Sequence, residues 1–426
     1  MKRNHILIIL AAAIPILLLT GVMAWVATDY QSFQKELPAK EALAGQAGDS
    51  KEVQDDGGLK GEGSEGDKTK GNETDGNGSG SANSDPSESS LSATSNDKTQ
   101  ASSEGAGESP YPIRLAFTGD LLLSDYVLEA YKNGGITGIL EQELLDIGKD
   151  ADIFMGNEEF PFSQRGVAAE DKQFTFRLPP DKVHIFQEMG LDIVSLANNH
   201  TLDFGTDALL DTLDTLDQAG IARVGAGRNL EEARRLKTME VRGVTIGFLA
   251  ASRVIPVYDW NATANTPGLF TTYDPTLLLE DIEAAKGVCD YLVVFVHWGE
   301  EKNNSPLAYQ HTMGAQYIDA GADLVVGCHP HVLQGIEYYN GKPIVHSLGN
   351  YLFGSSIPKT ALLQVELTEE GASLSLVPCT SYNGYTQRIT DPQKKKDFYE
   401  WMGELSFSAA IDSETGQVSP KAASAN

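Results

Sequence analysis

Five short apolar runs each end in side chains able to hold a metal ion. Residues 113–117 run into Thr118-Gly119-Asp120, 152–155 into Gly156-Asn157-Glu158-Glu159, and 193–197 into Asn198-Asn199-His200. Residues 292–296 run into His297-Trp298-Gly299-Glu300-Glu301, and 324–326 into Gly327-Cys328-His329-Pro330-His331. One such residue after a strand is ordinarily a turn or a cap. Five at comparable strand ends are hard to explain that way and point to a shared site for a divalent ion, with Mn, Fe or Zn favoured over Ca by the mixture of imidazole and carboxylate donors. His329 and His331 are the strongest pair, because an offset of two in an extended segment turns both imidazoles to one side. Cys289, Cys328 and Cys379 are too few and too scattered for a disulfide framework or a paired-cysteine zinc site, which leaves His, Asp, Glu and Asn as the expected ligands.

These runs must be strands that deliver their ends to one edge. Helical stretches fall between them at about 124–132, 138–148, 180–190, 206–219, 275–287 and 306–320, with a further strand at 244–250. Repeated strand-then-helix alternation predicts an α/β domain of layered sheet covered by helices. In such sheets the carboxyl edge is the usual place for a site. After Gln334 the pattern changes to hairpins, marked by Asn340-Gly341 and by Glu370-Gly371. A last amphipathic helix is expected at 391–405. The folded domain is placed at 111–406, and the Ser- and Ala-rich tail at 407–426 is expected to be loose.

The segments ahead of the domain indicate where it works. Lys2 and Arg3 precede a nearly uncharged run at 6–27, long enough to cross roughly 30 Å of hydrocarbon as a helix. A cytoplasmic tip at 1–4, a transmembrane anchor at 5–27 and everything later outside the cell follow from the charge bias. A cleaved signal peptide is the competing reading, with Val22-Met23-Ala24 as its small-residue site. Residues 28–110 are Gly-, Ser- and acid-rich and cannot bury enough apolar surface to order themselves. They read as a disordered linker with a reach of roughly 50 Å. Across the chain, 60 acidic residues face 32 basic ones, a net charge of −28, which excludes a nucleic-acid partner because neutralising phosphates takes Lys and Arg.

The motifs in this order resemble the capsule-synthesis (CapA, poly-γ-glutamate synthesis) family, whose fold is similar to calcineurin-like metallophosphoesterases. The resemblance spans about 113–388. It rests on Gly119-Asp120, Asn157-Glu158-Glu159-Phe160-Pro161, Asn198-Asn199-His200, His297-Trp298-Gly299-Glu300-Glu301, His329-Pro330-His331-Val332-Leu333-Gln334 and Ser347-Leu348-Gly349-Asn350. It implies a metallophosphoesterase-like sheet sandwich flanked by helices and one or two divalent ions. Asp120, Glu159, Asn199, His297, His329 and His331 are the implied ligands, Glu159 taking the place of the metal-bridging aspartate. His200 is the implied catalytic imidazole. Asn157, Trp298, Glu301, Gln334 and Asn350 are the implied substrate contacts or supports behind the ligands.

Three positions depart from the phosphoesterase or family pattern. Leu122 stands where phosphoesterases carry a histidine, with Ser124 or Asp125 as possible substitutes. Glu159 is longer than the aspartate it replaces, and His346 stands where the family carries an aromatic; it reads as a core or supporting residue, and His184 and His311 as structural. The resemblance implies an extracellular metal-dependent hydrolase or transferase acting on an anionic polymer, with the membrane and synthase subunits as partners. The alternative is a non-catalytic subunit of a polymer synthesis and export complex. Arg165, Lys172, Arg177 and Arg253 are the basic residues expected to offset the domain's acidity toward a polyanion.

Overall fold

Along β1 (Ile113–Leu121) the side chains of Ile113, Leu115 and Phe117 enter one apolar cluster and Ala116 another. Along β9 (Tyr291–His297) Val293 and Phe295 join that same first cluster, while Leu292, Val294 and Val296 enter a third. Strands that are apolar on both faces belong inside a layered domain. Two sheets share the first cluster between them and bury the other two beneath helices on their outer faces, an α/β/β/α sandwich. This is the computed structural model of the chain, and it describes residues 109–422. The expected tip at 1–4, the anchor at 5–27 and all but the end of the linker lie outside the described residues. Among the described residues no helix is long and apolar enough to cross a membrane.

The first sheet runs in the order β17 (Ala409–Ile411), β18 (Gln417–Pro420), β15 (Gly371–Tyr382), β14 (Ser356–Thr368), β1, β2 (Ile153–Glu158), β3 (Ile193–Ser195), β4 (Ala222–Val224). In addition β13 (Asn350–Leu352) pairs with β1, and β16 (Tyr385–Arg388) with β15. The second runs β11 (Ile336–Tyr339), β12 (Lys342–Val345), β10 (Leu324–Cys328), β9, β7 (Val244–Ser252), β6 (Lys237–Val241). A two-stranded piece pairs β5 (Ala226–Gly227) with β8 (Gly268–Leu269). The strand ends expected to converge therefore come from two sheets: β1, β2 and β3 are parallel neighbours in one, β9 and β10 in the other.

Register is set at the amino edge by one arrangement used four times. Asp152, Asp192, Asp290 and Asp323 each stand one residue ahead of β2, β3, β9 and β10. Each donates its backbone N–H to the carbonyl of a residue on the neighbouring strand, Arg114, Phe154, Thr245 and Leu292 in turn, at 2.7, 3.0, 2.8 and 2.9 Å. Each carboxylate then accepts the backbone N–H of that same residue, at 2.8, 2.8, 2.8 and 2.9 Å. A strand anchored in this way cannot slip by one residue without exchanging its faces. The opposite ends, where the polar motifs sit, are thereby held level.

At the carboxyl edge, Gly119 in β1 lies against the backbone of Gly349. A Cβ at Gly119 would stand 1.8 Å from the Gly349 carbonyl, whose oxygen accepts the Asp120 N–H at 2.8 Å. That close approach holds the Ser347-Leu348-Gly349-Asn350 segment beside Asp120.

The tail expected to be loose is ordered as far as it is described. Residues of β18 pair with β15 (Leu374 with Val418), β17 pairs with β18, and Ala409 and Val418 are buried. Its composition hides this because the apolar positions are few, and pairing is supplied by the free edge of β15 rather than by local pattern.

Candidate metal centre

Asp120, near the end of β1, has Asn350 of β13 as its Cα partner on one side and Asn157 of β2 on the other. Asn157 donates through Nδ2 to Asp120 Oδ1 at 2.9 Å and accepts through Oδ1 from Asn198 at 3.1 Å. Asn198 Oδ1 in turn accepts the backbone N–H of His200 at 3.0 Å. A buried row of amides thus ties three strand ends together and presents Asp120, Glu159, Asn199 and His200 from one edge.

The second sheet brings the histidines. His297 closes β9; its Nε2 lies 3.0 Å from Asn199 Oδ1 and 3.9 Å from Glu159 Oε1, while its Nδ1 faces Cys328 Sγ at 3.3 Å. Cys328, set aside in the sequence reading, sits behind the ring, on the nitrogen turned away from Asn199 and Glu159. Burial, then the nearby charges of Asp120 and Glu159, raises its thiol pKa, which favours the protonated thiol beside the ring in the metal-free site.

His329 and His331 do come together, with ring centroids 5.8 Å apart, but not through an extended segment. β10 ends at Cys328, and both residues adopt left-handed backbone, φ 96° and 58°. Such conformations cost on the order of 1–3 kcal/mol at non-glycine positions and concentrate at functional sites. The turn lets the His329 N–H reach Asp120 Oδ2 at 3.3 Å and His331 Nδ1 reach Asn350 Oδ1 at 2.7 Å.

Glu159, His329 and His331 each offer a ligand atom within 4.8 Å of the others, and Asp120, His297 and Cys328 form a similar group. Both oxygens of Glu159 and the Nδ1 of His329 are buried without a hydrogen-bond partner. Buried polar atoms left unpaired are expensive, and charged ones more so, unless a cation compensates. Burial, then repulsion from Asp120, raises the Glu159 pKa well above the usual carboxylate range. Burial pushes His329 down to about 3 and holds His297 well below its ordinary value. Burial acts against a charge on His331 too, yet the Glu159 carboxylate and then Asp120 outweigh it and raise that ring to about 10. A positive charge is thus favoured between two carboxylates, and the bare imidazoles around it are suited to a divalent ion. The donor set fits Mn, Fe or Zn.

His200 is buried beside this group. Its Nδ1 meets Asp203 Oδ2 at 2.7 Å, with Lys172 Nζ 3.0 Å from the same nitrogen. Lys172 has Asp203 Oδ1 and the Asn199 carbonyl as acceptors, whereas Asp203 only accepts, which favours the proton on Nδ1 and leaves Nε2 to exchange one. Lys172 bonds Asp203 Oδ1 and the Asn199 carbonyl, and Phe176 packs over the ring at 4.6 Å. Burial lowers the His200 pKa, opposed by Asp203. Asp203 and this use of Lys172 were missed; the only local signal is the three-residue offset from His200.

The other expected residues lie outside these ligand groups. Trp298 is fully buried, donates to the His346 carbonyl at 2.8 Å and stacks near Tyr317, so of the two implied roles it takes that of a support, packed under the second sheet. Gln334 is a buried bracket between Gln310 and the Asn303 carbonyl. Glu301 is exposed, and its charge is felt by Glu159 and Lys172. Leu122 points into apolar core, Asp125 is exposed and joins no His, Cys, Asp or Glu ligand group among the described residues, and the Ser124 hydroxyl is buried without a hydrogen-bond partner. Arg165 pairs with Asp211 on the surface and Arg177 bonds the Arg165 carbonyl. Arg253 is stacked between Tyr273 and Tyr309, which leaves Lys172 as the basic residue in contact with the His200 pair.

With this geometry in hand, the chain compares with known proteins as follows. A family profile described as "Bacterial capsule synthesis protein PGA_cap" matches residues 114–355. The PGA biosynthesis protein CapA of Bacillus subtilis is 34% identical over 264 residues, covering 61% of this chain and 69% of that protein. The capsule biosynthesis protein CapA of Bacillus anthracis is 30% identical over 335 residues, covering 75% and 80%. A probable polyglutamine synthesis accessory protein of Mycobacterium tuberculosis is 34% identical over 208 residues, covering 47% and 55%. Among solved structures, a putative 5'-nucleotidase from Staphylococcus aureus is a distant likeness: 14% identity, TM-score 0.40, covering 69% of this chain and 58% of that one.

Proposed function

Because the chain belongs to the bacterial capsule synthesis family, we propose that it serves the production of a poly-γ-glutamate capsule as a membrane-anchored, extracellular, metal-dependent hydrolase or transferase acting on the anionic polymer. The observation that carries this reading is the convergence of buried, unpartnered Glu159 with three histidines and Asp120, beside a histidine whose one nitrogen is held by Asp203. Asp120, Glu159, Asn199, His297, His329 and His331 would hold one or two ions. When bound, such an ion polarises the scissile group and makes bound water acidic enough to act as a nucleophile near neutral pH.

The remaining steps belong to the chain's own residues. Asp203 holds the His200 Nδ1 proton and leaves Nε2 to take up the proton released by the attacking water and pass it to the leaving group, which returns the ring to its neutral form, a role worth about 100- to 10,000-fold in rate. Lys172 pairs with Asp203 and presents its ammonium next to the site, although burial lowers its pKa and Asp203 balances its charge. A domain this acidic gains little from long-range steering of a polyanion, so engagement through the metal and Lys172 is the mode the charges favour.

One observation favours the second reading, a non-catalytic subunit of a membrane synthesis and export complex. Leu122 fills the expected histidine position with a buried apolar side chain, and the nearby Asp125 is exposed and joins no His, Cys, Asp or Glu ligand group among the described residues. The two readings separate in one experiment: purified, metal-loaded chain is given γ-polyglutamate and, in parallel, a generic phosphodiester. Cleavage abolished by His200→Ala with metal content intact supports catalysis. Absence of cleavage, together with wild-type polymer length and yield in a His200→Ala strain, rejects it in favour of the subunit role.

A further inference from the structure

Away from this centre, His311, Glu337 and His346 meet from three separate segments. His311 lies in the helix Ala308–Ala320, Glu337 in β11, and His346 directly after β12. Their ligand atoms lie within 4.8 Å of one another. Both rings aim at one oxygen: His311 Nδ1 is 2.6 Å from Glu337 Oε2, and His346 Nε2 is 3.1 Å from it. None of the three belongs to either ligand group of the centre described above. We propose that they form a second, separate site for a borderline divalent transition metal, with zinc as the representative ion.

Three features support it. Two imidazoles and a carboxylate are a known three-ligand zinc set that leaves a fourth position for water. Ligand separations of about 3.3 Å, as tetrahedral bonds of about 2.0–2.1 Å require, need the two nitrogens to retreat only slightly from the oxygen they now share. The surroundings also suit an ion reached from one side: His346 is fully buried against Trp298, while His311 and Glu337 keep 30% and 19% of their side-chain surface exposed. Phe407, half exposed, packs edge-on against both rings, with centroids 4.6 and 6.1 Å away. An ion here would fasten helix, hairpin and the C-terminal segment together.

The same geometry limits the affinity. A metal on His346 Nε2 moves the ring proton to Nδ1, which is buried without a partner. Lack of a supporting partner on a ligating histidine weakens binding by about 10- to 100-fold. This ion is therefore expected to be the first removed by a chelator.

The test uses the full chain carrying His329→Ala and His331→Ala, which disables the first centre and makes the result independent of the proposed function. Dialysed against zinc chloride, this protein should retain one zinc per chain. Adding His311→Ala or Glu337→Gln, with unchanged circular dichroism, should abolish it, and X-ray absorption should report two imidazoles and an oxygen donor. If the double variant misfolds, Glu337→Gln in the otherwise native chain should lower total zinc by one ion. Zinc content unaffected by Glu337→Gln and His311→Ala, or no zinc in a folded double variant, overturns the proposal and leaves the cluster a hydrogen-bonded bracket.

Discussion

Glu159 is buried with no donor to either oxygen, so its charge needs a cation in a way that the surface carboxylates do not. Glu159→Gln removes the negative charge while keeping the shape. Bound metal should fall at least about tenfold, the loss typical of a disturbed metal shell, and the metal-free protein should not become less stable; elemental analysis and a thermal melt check both. His331 supplies a second expectation. Its ring holds a proton up to about 10 in the metal-free site, whereas a ligand must give that proton up. Metal uptake at neutral pH should therefore release at least one proton, with the buried Glu159 adding to the total, and affinity should weaken on acidification and strengthen as pH rises toward 10. Calorimetry in buffers of different ionisation heat reads this directly, and zero release would remove His331 from the ligand set. Asp203→Asn offers His200 an amide that can present N–H to Nδ1 and favour the wrong tautomer. Turnover should drop as it does for His200→Ala, with metal content unchanged.

At the scale of strands, the four aspartates at the amino edge matter because the chemistry sits at the other end. Asp192→Ala leaves the Phe154 N–H without an acceptor and should cost about 1–3 kcal/mol in urea denaturation. Asp192→Asn, which retains an acceptor, should cost clearly less. Metal stoichiometry at saturation should survive both, since the three-strand row of amides at the carboxyl edge is untouched. The aspartates immediately ahead of β2, β3, β9 and β10 were visible in the sequence as residues opening apolar runs. Their partners were not, because a strand's neighbour is chosen by the sheet and not by local pattern.

For the whole molecule, the proposed topology is a domain outside the membrane on a flexible leash. It rests on Lys2 and Arg3 ahead of the apolar run at 6–27 and on the low-complexity stretch that follows. Protease added to intact, wall-stripped cells should release a soluble domain beginning near Tyr111. Full protection of that domain would reject the arrangement.

The sequence by itself determined the strand-and-helix alternation, the family, and the positions of Asp120, Asn199, His297, His329 and His331 at the ends of apolar runs. These are local facts: a periodicity of two or of 3.6, and the residue type that follows it. Tertiary structure decided everything that depends on distant partners. It divided the five strand ends between two sheets and turned His329 and His331 through left-handed backbone instead of along a strand. It placed Cys328 behind His297, gave His200 its Asp203, and drew Trp298 away from solvent into the core. It also gathered His311, Glu337 and His346 from positions that, read singly, look like ordinary structural residues. Side-chain chemistry can be read from composition and spacing, but which groups share a site is set by burial and register, and both are properties of the packed chain.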